Sequence, residues 1–255
     1  MRAIHSHSYR LGGVLAALLH ALMLGSAVAA NAELLIVNAR VFNGRDAELS
    51  APSTLRVSEG RIVSIDAHVH PSIPLGFTAM RDLQPDYAAH RSAAEARAML
   101  LRGFTTIRDM AGPSFGLKQA IDEGVLVGPR IFPSGAMVSQ TSGHGDFRSR
   151  AASSVSNTGM DVMEQRGYGR LADGESAVLL AVREQLREGA AQIKIAAGGG
   201  LSSNYDPLDS VQYLDAELRA AVRAAADWGT YVAVHAYTPE SIRRSVEAGV
   251  RSIEH

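Results

Sequence analysis

Five times along this chain an amphipathic run closes on a glycine, and within a few residues a short apolar stretch follows. The glycines are Gly103, Gly124, Gly189, Gly229 and Gly249, each placed where a helix can end in a left-handed cap. The stretches that follow read TTIRD from Thr105, RIFPS from Arg130, QIKIA from Gln192, YVAVH from Tyr231 and SIEH from Ser252. DAHVH, from Asp66, precedes them and completes six predicted strands in β/α alternation. Thr238 followed by Pro239 marks one helix start, with a hydroxyl to cap it and a ring already set to helical φ. Such alternation dictates a parallel sheet with helices outside, either doubly wound or curled as a (β/α)8 barrel.

The placement of ionisable groups selects the barrel. His68, His70, Lys194, His235 and His255 sit within strands or at their C-terminal ends, where a barrel gathers its site at one mouth. A doubly wound nucleotide binder would carry a glycine-rich phosphate loop after its first strand, and DAHVHPSIPLG lacks that spacing. Ahead of the barrel, from Glu33 to Ile65, the pattern is strand-like with turns at Asn43-Gly44-Arg45-Asp46 and Ser58-Glu59-Gly60, a small β segment.

Residues 1–30 read differently. Arg2 and Arg10 precede an apolar run from Leu11 to Leu24, and Ala27-Val28-Ala29 offers the small residues a signal peptidase requires. The run is too short to span a bilayer. An export signal and a secreted or periplasmic protein with no stable membrane anchor after cleavage are expected. The chain has no cysteine, so thiolate chemistry is excluded and stability must come from the core, with bound metal as an open further source. A net charge of −1 without long basic runs argues against a nucleic-acid partner. A small-molecule partner is expected, and the oligomeric state, a homo-oligomer included, is left open.

His68 and His70 share one face of a strand, about 7 Å apart along it. Taken alone the pair fits packed or surface histidines as well as a metal site. His235 and His255, closing two further strands, add imidazoles at the same rim. Lys194 is the least ordinary residue: one of two lysines against 23 arginines, it stands between Ile193 and Ile195 in a strand that a parallel sheet buries on both faces. A buried ammonium must be paired, neutralised or altered. It either pairs with an acid or, as a free amine, captures carbon dioxide to form a carbamate able to bridge two cations.

DAHVH, GFTTIRD from Gly103, IKIAAGGG from Ile193, VHAYTPESI from Val234 and the final SIEH resemble the metal-dependent amidohydrolase superfamily. GPRIFPSGAMVSQTSGHGDFR, from Gly128 to Arg148, is similar to its imidazolonepropionase-like branch, which includes secreted Xaa-Pro dipeptidases. The resemblance implies that His68, His70 and carboxylated Lys194 hold one divalent metal, and that Lys194 bridges to a second held by His235 and His255. Zinc is the default and manganese, cobalt or iron fit the same ligands. It marks Lys194 and His255 as catalytic, and His144 and Tyr237 as substrate-binding. For the last two, a loop histidine without a role and a packing tyrosine are the plain alternatives. The implied reaction is hydrolysis of a carbon–nitrogen bond, in an Xaa-Pro dipeptide or an N-acyl amino acid, by metal-activated hydroxide.

Asp109 reads as a surface aspartate, with orientation of a histidine as its alternative. Gly198-Gly199-Gly200 reads as a flexible turn above the site, since no GK[ST] follows it. Relatives in this superfamily continue to an eighth strand carrying a metal-binding aspartate, and they have an intervening stretch where Ile65 here meets Asp66. The expectation is therefore an α/β chain with a signal at 1–30, part of a β domain at 31–65 and, at 66–255, an incomplete TIM-type barrel of about six of eight strands, truncated at its C-terminus. Two other readings remain: an inactive fragment or non-catalytic metal-binding exported protein, and a dinuclear hydrolase of phosphotriesters or lactones.

Overall fold

The computed structural model describes residues 34–39, 53–58, 61–152, 159–203 and 205–255. The export signal expected at 1–30 lies outside them. Strands β1 (Leu34–Ala39), β2 (Ser53–Ser58) and β3 (Arg61–Val69) form an antiparallel meander. β3 then continues into the barrel, pairing parallel with β4 (Phe104–Asp109). The boundary expected between residues 65 and 66 thus falls inside one strand. RIVSIDAHV has no glycine or proline to interrupt it, so nothing in the local chemistry ends the extended run.

β4 pairs parallel with β5 (Arg130–Pro133), after which the chain bends through Ser134–Ala136 and resumes as β6 (Met137–Ser139). Gly135 makes the bend: its φ is 71°, and a Cβ there would lie 2.3 Å from Gln185 Oε1. β6 sits between β7 (Gly169–Leu171) and β8 (Ile193–Ala196), and β9 (Val232–His235) and β10 (Ser252–Glu254) follow in parallel. The bend divides the strands into two five-stranded sheets, ordered β1-β2-β3-β4-β5 and β10-β9-β8-β6-β7. Ala191 N–H donates to the Pro133 carbonyl at 2.7 Å across the division. The six predicted barrel strands are all present, and β6 and β7 are additional.

The helices are α1 (Phe77–Asp82), α2 (Pro85–Leu101), α3 (Phe115–Asp122), α4 (Val162–Gln165), α5 (Glu175–Glu188), α6 (Asp215–Asp227) and α7 (Pro239–Ala248). The five punctuating glycines all have φ between 71° and 98°. Thr238 Oγ1 accepts from Ser241 N–H at 3.1 Å, which caps α7 as its sequence requires. No helix among the described residues is long and apolar enough to cross a membrane.

The largest core lies between the second sheet and α5 and α6, where Val178, Val182, Leu186 and Leu218 meet Ile193, Ile195, Val232 and Val234. Each such side chain contributes about 1.5–3 kcal/mol. Because strand faces alternate, turning Ile193 and Ile195 to the helices turns Lys194 the other way, and turning Val232 and Val234 does the same for His235. Core packing therefore places the site residues.

Candidate metal centre

Lys194 and His235 line a cavity of about 310 Å³, together with His68, His70, His144, Tyr237 and His255. All seven residues singled out in the sequence meet there. The His68 ring lies 5.1 Å from His70 and 4.5 Å from His255, and His255 lies 5.0 Å from His235, centre to centre. His144 stacks on His235 at 4.0 Å. Tyr237 stands edge-on to His235 at 4.9 Å and is 40% exposed at the mouth.

Lys194 is 2% exposed, and its Nζ has no hydrogen-bond partner among the described residues. Burial brings the amine down to about 7, with Glu254 pulling it up and Arg108 pushing it down. Burial likewise lowers His70 to about 3, helped by His68 and Lys194, and His235 to about 3, helped by His144. Both rings are neutral at pH 7, the form in which imidazole binds a cation.

The rings are also oriented. His68 Nδ1 is 2.8 Å from Glu254 Oε2, and His70 Nδ1 is 3.3 Å from the Ala111 carbonyl, which leaves Nε2 of each uncommitted. His235 differs: its Nε2 donates to the Gly199 carbonyl at 2.9 Å. Among the described residues no three His, Asp or Glu side chains are gathered closely enough to hold an ion. The chemistry of the donor set nevertheless fits divalent cations. Imidazoles, those of His70 and His235 neutral, surround a buried amine that has no hydrogen-bond partner among the described residues.

Asp109 corrects the sequence reading. It is fully buried, not a surface residue, with Oδ1 accepting from Ala111 N–H at 3.2 Å, Oδ2 without a partner, and Oδ1 3.9 Å from His70 Nδ1. Burial pushes its carboxyl up to about 8. Gly198–Gly200 lies against the site as expected, but it is a buried, closely packed segment with Gly198 bridged to Val211 and not a flexible turn: a Cβ on Gly200 would stand 2.2 Å from the His144 ring and 2.7 Å from His235 Nε2. Gly200 N–H also donates to Oδ2 of buried Asp206, 3.6 Å from His144 Nδ1.

Glu254, Arg108 and Asp206 were missed in the sequence. Glu254 carried a usable signal, since an acid inside a short buried strand is as unusual as a lysine there. Burial pushes its carboxyl up, but hydrogen bonds from His68 and Ser252 and the charges of Arg108 and Lys194 bring it down to about 2. Asp206 lies in a loop whose composition gives no such hint.

The pattern of the amidohydrolase family matches residues 64–255. The chain belongs to the amidohydrolase family. This amidohydrolase is 36% identical to the ochratoxinase of Aspergillus niger over 206 residues, 74% of this chain and 42% of that protein. Among solved structures it is similar to a prolidase complexed with N-methylphosphonate-L-proline, at 36% identity and a TM-score of 0.71, and to a Xaa-Pro dipeptidase with bound methionine, at 27% and 0.64. Each comparison covers 88% of this chain and 61% of the other. The chain thus spans less than half of the ochratoxinase and about three-fifths of the solved relatives. The α/β fold with parallel sheets matches these amidohydrolase barrels over that partial length.

Proposed function

We propose that the protein is an exported, metal-dependent hydrolase of carbon–nitrogen bonds, acting on an Xaa-Pro dipeptide or N-acyl amino acid. The buried, unpartnered amine of Lys194 in the histidine-lined cavity carries the reading. With a value of about 7 the amine is substantially unprotonated at neutral pH and is a competent nucleophile. Its attack on carbon dioxide forms an N–C bond and releases one proton to solvent, turning a neutral donor into an anionic ligand.

His68, His70 and carboxylated Lys194 would hold one divalent cation, and His235, His255 and the same carbamate a second. When bound, such a pair lowers the pKa of water and polarises a carbonyl. The chain's own residues do the rest. His144, with Nδ1 at 2.9 Å from Ser203 Oγ, and Tyr237 at the mouth would receive the substrate's carboxylate and reacting oxygen. The turn at Gly199–Gly200 shields the buried side of His235 from water.

Two of the solved relatives hold a proline phosphonate and methionine, which supports a substrate of amino-acid size. The test is elemental analysis after loading with zinc and bicarbonate, paired with turnover of an Xaa-Pro dipeptide, an N-acyl proline and a phosphotriester. Two cations per chain with cleavage of either amide are expected. Zinc binding without amide turnover, or turnover of the phosphotriester alone, refutes the reading.

A further inference from the structure

One half-buried charge pair beside the cavity has no part in the proposed reaction. Arg108, on β4, and Glu254, on β10, have side chains 19% and 6% exposed and meet at 2.5 Å. The guanidinium reaches further. Its Nε donates to the Ala67 carbonyl at 2.6 Å, and its other terminal nitrogen to Tyr231 Oη at 3.1 Å and Ser252 Oγ at 3.3 Å. Ser252 Oγ donates in turn to the Glu254 carboxylate. One planar cation therefore joins β3, β4, β10 and the residue entering β9.

The contact with Ala67 matters because Ala67 precedes His68. Arg108 grips the backbone at His68 on one side and, through Glu254, the ring of His68 on the other. Glu254, paired with a guanidinium, is a carboxylate and can only accept, so the 2.8 Å contact requires a proton on His68 Nδ1, and of the two neutral tautomers it selects the one with its lone pair on Nε2. The opposite tautomer would set a lone pair against an anion. A buried ion pair is weak support for stability taken by itself, because desolvation cancels much of the attraction. Orientation of a neighbouring group is what this geometry supplies.

We propose that Arg108 and Glu254 are positioning residues for His68, fixing its backbone, ring and tautomer so that Nε2 is the nitrogen presented to a divalent cation. The inference rests on the metal-site reading above. A lysine cannot replace Arg108, because a point charge lacks the fork that spans Ala67 and Glu254 together. A glutamine cannot replace Glu254, because an amide can donate as well as accept and so removes the tautomer preference.

The test compares the full chain with Glu254→Gln and Arg108→Lys. Long-range proton–nitrogen NMR on the metal-free protein reads the His68 tautomer, assigned by the signal lost in His68→Asn, and competition with a chromophoric chelator reads zinc affinity. The wild type should show Nδ1–H. Glu254→Gln should mix or reverse the tautomer and weaken zinc binding by about 10–100-fold, and Arg108→Lys should move both readouts the same way by less. An unchanged tautomer and unchanged zinc affinity in both variants overturn the proposal. If Glu254→Gln unfolds, Arg108→Lys, which keeps the charge, decides on both readouts. If the wild type itself fails to bind zinc, the proposed function falls, and the tautomer measurement still decides the positioning role.

Discussion

Lys194→Met should make the metal-free protein more stable, and increasingly so as the pH falls. The amine is buried and unpartnered, and burial brings it from an ordinary 10.5 to about 7. Between those two values the unfolded chain holds more protons than the folded one, so stability rises with pH from about 7 to 10.5 and the penalty is complete below 7. At about 1.4 kcal/mol per pH unit, the complete penalty is about 5 kcal/mol. That is a large share of the roughly 5–15 kcal/mol that holds a typical domain folded. Methionine is unbranched, of similar reach and uncharged, so it fills the same space at little packing cost. Allowing for imperfect packing, a gain of about 2–5 kcal/mol is expected at pH 6, fading toward zero by the pH at which the unfolded lysine loses its proton. Urea unfolding followed by circular dichroism, in chelator and bicarbonate-free buffer across this range, measures it. A variant no more stable than wild type at pH 6, or a gain equal at every pH, would refute the reasoning, since either outcome means the amine is compensated in the folded state.

Asp109 should act in the opposite sense. Burial raises its carboxyl from 3.8 to about 8, so the folded protein retains a proton that the unfolded chain releases, and stability is lost as pH rises between those values. Asp109→Asn should remove this falling contribution, so that the variant gains on the wild type as pH rises from 4 to 7, over the rising slope that His70 and His235 give to both proteins; a stability difference between the two that does not change with pH would exclude it. Gly200→Ala places a methyl against both the His144 and His235 rings and should cost about 1–3 kcal/mol while weakening zinc binding; a variant matching wild type in thermal midpoint and zinc affinity would show that the turn yields freely. Expression with the native leader in a bacterium should give an exported protein beginning near Asn31, as read by intact mass, and an uncleaved chain in the cytoplasm would contradict the expected export signal.

Much of the molecule was legible in its sequence because the relevant physics is local. Strand periodicity of two and left-handed glycines at helix ends depend on neighbours a few residues away, so TTIRD, RIFPS, QIKIA, YVAVH and SIEH could be read as strands, and Gly189 and Gly249 as caps. His68, His70, Lys194, His235 and His255 were legible because an ionisable group in or at the end of an apolar strand violates its local pattern, whereas His144 and Tyr237 were marked by the family resemblance alone. What the sequence could not decide depends on contacts distant along the chain. Asp109 looks like any strand-end aspartate until its surroundings close over it. The exclusion of any side chain at position 135 comes from Gln185 and Phe115, distant in the sequence. Glu254 meets His68 across 186 positions, and the Arg108 fork is drawn to Ala67 only after β3 and β4 have paired. Residue type and spacing set which groups carry chemistry and which way each strand turns them. Their burial, their hydrogen-bond partners and hence their protonation are properties of the packed interior, because desolvation and pairing do not exist until distant segments exclude water together.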